Sequence, residues 1–232
     1  MIEENTKIYS NEDYLVYKMV TGGRWKENCY LVRFVKYDQV ILIDPGDDPH
    51  IICSKINSMG SKLTHIFLTH GHHDHVGAAA YISDHYGINC TLHSQDKRII
   101  MHAPMYAIRF AGKNIRIPNL ITFCEEDVFM IGDISIEVIH TPGHTPGSAC
   151  IRIESCLFTG DTLLYKAIGR SDLPNSNGKE LKTSINKLLE RTKKDLIILP
   201  GHGRSWSVNE AKTWWKEVID VPPQLNTFDI AD

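Results

Sequence analysis

The stretch Thr69-His70-Gly71-His72-His73-Asp74-His75 concentrates chemistry, because five of its seven residues can ligate a metal ion or work beside one. Imidazole and carboxylate are ligands of borderline divalent ions such as zinc, and they serve iron and manganese as well. Two histidines separated by one residue in an irregular turn can both reach one ion. The Asp74-His75 pair can reach a second ion nearby. The plain alternative is a solvated, histidine-rich loop. A lone histidine favours that reading, whereas a His-x-His-x-Asp-His run between a strand and a helix has a mechanistic use.

The flanking sequence supplies those elements. Ile66-Phe67-Leu68 reads as the end of a buried strand spanning 64–69, and residues 76–86 read as a helix closed by Gly87. The ligand candidates therefore fall in the turn beyond a strand's carboxyl end, where open α/β sheets bind ligands. Three later loops repeat the arrangement. A half-buried strand over 134–139 leads into His140-Thr141-Pro142-Gly143-His144-Thr145-Pro146-Gly147-Ser148. Strands over 149–153 and 156–159 follow, the second ending at Gly160-Asp161, and a strand over 195–199 ends at Pro200-Gly201-His202-Gly203. Earlier, strands over 14–20 and 28–35 join through Gly22-Gly23, a third over 39–43 ends at Asp44-Pro45-Gly46, and a helix over 49–59 stops at Gly60. Residues 97–120 have apolar positions without a clean period, and Pro104 and Pro118 predict an irregular, partly helical insert. A terminal helix over 208–218 carries Trp214 and Trp215, and Pro222-Pro223 marks an extended tail. The alternation predicts an α/β layered fold in one domain over 1–232, with a core over about 14–203 and a C-terminal helix and tail over 204–232.

Composition narrows the function. The 232 residues are 42% hydrophobic and 23% charged, ordinary for a globular chain. A net charge of -3 gives no attraction to nucleic acid or to an anionic membrane. No apolar run approaches the roughly 18 residues of a membrane span. The acidic, polar start Met1-Ile2-Glu3-Glu4-Asn5 is unlike a secretory signal. The six cysteines form no C-x-x-C pair, so reduced thiols in a cytoplasmic protein are expected.

Taken together, THGHHDH, HTPGHTPGS, TGD and PGHG resemble, in order and spacing, the motifs of the metallo-β-lactamase fold superfamily of metal-dependent hydrolases. The resemblance spans residues 14–203. It implies a four-layer αβ/βα sandwich, two mixed β-sheets face to face with helices outside. It implies two divalent metal ions, zinc first, with iron and manganese accepting the same ligands. His70, His72 and His144 would hold one ion, Asp74, His75 and His202 the other, and Asp161 would bridge them. Asp44 matches a position where a carboxylate orients a ligand histidine, its alternative being a cap for the following loop. His73 stands at the motif's variable position, where it meets ligands or solvent. His140 reads as structural, and His65 and His93 as core or surface residues. Two divalent ions less Asp74, Asp161 and a bridging hydroxide leave a site near +1, which favours an anionic substrate or intermediate. The expected reaction is hydrolysis, with metal-bound hydroxide attacking a polarised carbonyl and Asp74 orienting it or moving a proton.

Residues 159–174, with Gly169-Arg170-Ser171-Asp172-Leu173-Pro174, are similar to the short members of the glyoxalase II group, thiolesterases that cleave hydroxyacyl-glutathione. Arg170 could pair with a substrate carboxylate, or internally with Asp172. Lys166 and Tyr165 are further substrate candidates. Only about 30 residues follow His202, too few for the helical domain with which long glyoxalase II enzymes grip glutathione, so another thioester, an ester or a lactone also fits. The Gly-Arg-Ser-Asp stretch is shared with mononuclear iron persulfide dioxygenases, which would use His70, His144 and Asp161. The intact PGHG motif argues for two metals instead. A non-catalytic metal-binding role and a nuclease are weaker readings. A homo-oligomer is compatible with the sequence.

Overall fold

Along the strand Glu27–Phe34, Tyr30, Val32 and Phe34 point one way and Cys29 and Leu31 the other, and both sets are buried. Side chains alternate across a strand, so an apolar run buried on both faces requires a layer on each side. In a computed structural model that describes residues 6–124 and 127–219, those layers are a second sheet and a set of helices.

The elements in order are β1 (Thr6–Ser10), β2 (Tyr14–Thr21), β3 (Glu27–Phe34), β4 (Gln39–Ile43), α1 (Pro49–Ser58), β5 (Lys62–Phe67), α2 (His73–Val76), α3 (Ala79–Tyr86), β6 (Cys90–His93), α4 (Lys97–Ala111), β7 (Leu120–Phe123), β8 (Asp127–Ile131), β9 (Ile134–His140), β10 (Ala149–Ile153), β11 (Cys156–Gly160), β12 (Leu163–Leu164), β13 (Ala167–Ile168), α5 (Gly178–Arg191), β14 (Ile197–Pro200), β15 (Trp206–Ser207) and α6 (Val208–Val218). A seven-stranded sheet runs β1-β2-β3-β4-β5-β6-β7, and a six-stranded sheet runs β15-β14-β11-β10-β9-β8. Both are mixed. β4 to β7 pair in parallel after an antiparallel start, and β11 pairs in parallel with β14 in an otherwise antiparallel sheet. β12 and β13 form a separate hairpin.

The core sits in three slabs. Tyr30, Val32, Ile41, Ile43 and Phe67 meet Ile136, Val138, Ile151, Phe158 and Leu199 between the sheets. Leu31, Leu42 and Ile66 face Ile52, Ile56, Ile82 and Ile100 of α1, α3 and α4. On the far side Cys150, Leu157 and Ile198 face Leu181, Ile185, Leu188 and Trp215 of α5 and α6. This is the four-layer αβ/βα sandwich. Among the described residues, no helix is long and apolar enough to cross a membrane. The six cysteines are unpaired, and all but Cys124 are buried.

Three local expectations change. Residues 97–111 form a regular 15-residue helix despite Pro104 inside it. Ile99, Ile100, Ala103 and Ala107 are buried at helical spacing, while Met101, Met105, Ile108 and Phe110 are exposed. Apolar residues on both faces hid the period, and packing of the inner face outweighs the one hydrogen bond that proline removes. The helix after the histidine turn starts earlier, as the short α2, and is interrupted at Gly77 before α3, so Asp74 and His75 are helical rather than in the turn. Helix α5 lies outside the predicted elements, although Asn177 caps it by accepting from the N–H groups of Lys179 and Glu180. The proposed tail around Pro222-Pro223 lies outside the described residues.

Candidate metal centre

The strand ends β4, β5, β9, β11 and β14 open toward one place, and the loops beyond them carry the histidines and carboxylates named from the sequence. Among the described residues, three sets of ligand-type atoms lie within 4.8 Å of one another: His70/His72/His144, Asp74/His75/His202 and Asp44/His70/His75. Hydrogen bonds separate the third set from the other two.

Asp44 accepts on Oδ1 from the Thr69 backbone N–H at 2.7 Å, and on Oδ2 from the Thr69 hydroxyl at 2.6 Å and from His75 Nδ1 at 3.0 Å. The Thr69 hydroxyl, having donated its proton, accepts from His70 Nδ1 at 3.0 Å. Asp44 therefore orients two ligand rings from behind. With their Nδ1–H groups so engaged, His70 and His75 turn lone pairs on Nε2 into the site. His144 and His202 are fixed in the same way. His144 Nδ1 donates to the Arg170 carbonyl at 2.8 Å, and His202 Nδ1 donates to the Trp25 carbonyl at 3.0 Å.

The inward atoms then crowd one another. His144 Nε2 lies 3.0 Å from His72 Nδ1, and His75 Nε2 lies 3.2 Å from His202 Nε2. Asp161 stands between the pairs. Its Oδ2 is 3.6 Å from His144 Nε2, and its Oδ1 is 3.5 Å from His75 Nε2 and 3.7 Å from His202 Nε2. Asp74 Oδ2 lies 3.4 Å from His202 Nε2. His70 Nε2 and Asp161 Oδ1 are buried without a hydrogen-bond partner. Ring nitrogens about 3 Å apart, with orphaned buried polar atoms beside them, are ligand-type groups gathered closely enough to share a cation. The donor set fits two divalent ions.

Electrostatics follow the same division. Burial, reinforced by His75, His72 and His144, holds His70 well below the usual histidine range. Burial and then His144 lower His72 to about 3. Burial would also lower His75 and His202, but Asp161 and the carboxylates beside them raise both. Asp74 and Asp161 are pushed upward by burial and brought below the carboxylate range by the surrounding imidazoles. His70 and His72 of the first cluster thus present neutral imidazoles, and the second pairs imidazoles with two ionised carboxylates.

Among the described residues, the side chains of Arg170, Lys166 and Tyr165 make no hydrogen bond or ion pair with these seven residues. The Arg170 guanidinium is bound by Asp172 through Nε at 3.0 Å and Nη2 at 2.9 Å, so its backbone carbonyl is what touches the site. Tyr165 packs under Arg204, with the guanidinium carbon 3.7 Å from its ring centroid, and against Trp206. Lys166 is exposed at the turn of the β12–β13 hairpin. His73 has Nδ1 3.6 Å from Asp74 Oδ1 and packs edge-on to Trp25. His140 donates to the Pro146 carbonyl at 2.9 Å. Sequence reasoning gives no warning of Thr69, of the Trp25 and Arg170 carbonyls, or of Asp96, a fully buried acid. Backbone carbonyls carry no residue signature, and an aspartate before a helix looks like an ordinary cap.

Two sandwiched mixed sheets with paired histidine–aspartate clusters at one edge define a metallo-hydrolase fold. The chain belongs to the metallo-beta-lactamase superfamily, whose family profile matches residues 22–202. A relative named hydroxyacylglutathione hydrolase GloC, from Haemophilus influenzae, is 32% identical over 81% of this chain and 91% of its own length. The crystal structure of TTHA1623 in a di-iron-bound form is 34% identical, with a TM-score of 0.73 over 84% of this chain and 96% of that one. ETHE1 from Myxococcus xanthus, 22% identical with a TM-score of 0.70, covers 89% of this chain and 92% of that one and shares the fold.

Proposed function

We propose that the protein is a dinuclear metal-dependent hydrolase that cleaves a thioester or ester carbonyl of a small anionic substrate, in the manner of glyoxalase II. The observation that carries this reading is the pose of Asp161, one oxygen toward His144 and the other toward His75 and His202. A carboxylate so placed could serve an ion held by either cluster. His70, His72 and His144 would hold one ion and Asp74, His75 and His202 the other, with zinc as the first candidate. The di-iron-bound relative makes iron its competitor. Bound there, two divalent ions supply an acidic water and Lewis acidity toward a carbonyl oxygen.

The chain's own residues do the rest. Asp44, Thr69 and the carbonyls of Trp25 and Arg170 lock the ring orientations, so little reorganisation is left for the reaction. Asp74, kept ionised by its imidazole neighbours, can take the proton released from water on its carboxylate and return it to the departing thiol. Arg170 would meet a substrate carboxylate after exchanging Asp172 for it. The GloC relative supports the thioester class.

The test is metal analysis of the purified protein, paired with a panel of lactoylglutathione, other thioesters, esters and lactones. Two equivalents of metal and rapid thioester turnover are expected. One iron per chain, with oxygen uptake on glutathione persulfide and no thioester hydrolysis, would replace this reading by the mononuclear dioxygenase. Turnover of lactones alone would move the substrate class.

A further inference from the structure

Asp96 is fully buried, lies outside every ligand motif, and ends a short 3-10 turn before α4. It occupies the N-cap position of α4, yet its side chain caps nothing there. Its oxygens go elsewhere. Oδ2 accepts from the Gly71 backbone N–H at 2.8 Å and from the Thr145 hydroxyl at 2.8 Å, and Oδ1 accepts from the Gly147 backbone N–H at 2.6 Å. The Thr145 hydroxyl and Ser148 Oγ are 2.8 Å apart, and Ser148 Oγ also accepts from the Thr145 N–H, which extends the network along the second loop. The contact is close enough that a β-carbon on Gly147 would stand 2.6 Å from the Asp96 nitrogen.

The three anchored residues have one thing in common. Gly71 is the residue between His70 and His72, Thr145 follows His144, and Gly147 is two residues further on. These loops come from different sheets, β5 and β9. One carboxylate therefore fastens the backbone beside all three ligands of the first cluster. We propose that Asp96 is a positioning residue for the first metal site, holding His70 and His72 in register with His144, and that it has no such part in the second. The inference rests on the metal-binding reading above. Ionised, Asp96 satisfies three donors. An asparagine must present its NH2 to either Gly71 or Gly147, leaving a buried N–H without an acceptor and pushing one loop away.

The experiment is zinc titration of metal-depleted protein by chelator competition, in two backgrounds that isolate the sites. In a His202→Ala background, which keeps the first cluster whole, Asp96→Asn should weaken zinc binding by about 10- to 100-fold, the usual effect of losing an outer support. In a His72→Ala background, which keeps the second cluster, the same change should leave zinc affinity within about twofold. The thermal shift produced by zinc should shrink in the first background and persist in the second, whereas a merely structural role would weaken both sites alike. Thr145→Val removes one bond of the three and should give a smaller effect of the same pattern. It decides the matter if Asp96→Asn does not fold. Equal weakening of both sites, or none in the first, overturns the proposal. A parent protein that takes up no zinc, iron or manganese overturns the metal reading and this inference with it.

Discussion

Gly201 packs so tightly on Asp161 that a β-carbon added to it would stand 2.5 Å from Oδ1 of the carboxylate. The same atom would stand 2.7 Å from Cε1 of His75. The PGHG turn therefore needs glycine for access, because the groups in the way are a fixed carboxylate and a fixed imidazole. Gly201→Ala should cost about 1–3 kcal/mol by overpacking and should turn Asp161 out of its pose between His144 and the His75–His202 pair. The expected result is a metal content below that of the parent with hydrolysis falling in parallel. Full metal content at parental stability would mean that the turn yields more easily than the geometry implies.

Asp44 holds three donors with two oxygens, and one of them is the His75 ring. Asp44→Asn can keep the Thr69 N–H bond through its remaining oxygen, but its NH2 then faces both the Thr69 hydroxyl and His75 Nδ1. Both would have to reverse their hydrogen bonding, and the His75 tautomer that exposes Nε2 would be lost. Affinity for the second metal should drop by about 10- to 100-fold, with the chain still folded by circular dichroism. Because Thr69 also touches His70, a smaller loss at the first site is expected. Unchanged zinc affinity at the second site would show that His75 is oriented by its packing alone.

These two supports differ in how visible they are in the sequence. The seven ligand candidates are legible because each sits at a strand end in a short, unusual run of residue types, and the structure does bring them together. Asp44 is legible through its neighbours Pro45 and Gly46. Asp96 is not, since one acid in Ser94-Gln95-Asp96-Lys97 looks like a helix cap and its partners lie 25 and 49 to 51 residues away. The α/β layering is legible in the alternation of strands and helices, and the sandwich only through the likeness of the four motifs to the superfamily; in the structure, strands such as Glu27–Phe34 and Gln39–Ile43 are buried on both faces and so have layers on both sides. Helix α5 had a readable signal in Asn177 followed by Leu181, Ile185, Leu188 and Leu189 at helical spacing. The period of α4 was masked by its own exposed methionines and isoleucine. Strands of two residues such as β12, β13 and β15 are fixed by their partners and carry no periodicity to read.

Tyr30 reaches from the first sheet to the loop that carries His202, donating its hydroxyl to the Pro200 carbonyl at 2.7 Å. Asn28 Nδ2 donates to the same carbonyl at 2.9 Å. Tyr30→Phe should therefore cost only about 0.5–1.5 kcal/mol, since the acceptor keeps one partner. Removing both, in Tyr30→Phe with Asn28→Ala, leaves the carbonyl buried and unpaired and should cost more than the two single changes summed. Urea unfolding of the four proteins measures this, and strict additivity would refute the sharing.

Arg170 and Asp172 form an exposed pair beside the site, and exposed pairs contribute about 0.2–1 kcal/mol. Asp172→Asn should barely move the melting temperature. If Arg170 serves an anionic substrate, releasing it should lower KM for thioesters carrying a carboxylate and leave KM for neutral ones alone. Arg170→Ala should do the reverse, raising KM several-fold with kcat little changed. A change in kcat at constant KM would instead point to the Arg170 backbone, whose carbonyl holds His144.

His93 bridges the two sheets and is fully buried, stacked on His140 with ring centroids 3.9 Å apart. Its Nε2 donates to the Cys124 carbonyl at 3.0 Å, and its Nδ1 accepts from the Gln95 N–H at 3.4 Å, so both nitrogens are satisfied in the neutral ring. Protonation would set two donors against each other at Nδ1. Burial first, and then repulsion by His140, hold His93 below the ordinary histidine range, with the Cys124 carbonyl opposing them. The folded state thus binds this proton less readily than the unfolded chain does. The associated stability is complete above the unfolded value of about 6.5 and is lost as pH falls through it toward the lower folded value. In metal-free protein, His93→Gln should lose less unfolding free energy than the parent between pH 8 and pH 5. Metal-ligand titrations are common to both proteins and cancel in the comparison. Parallel losses across that range would show that His93 takes up its proton in the fold without penalty.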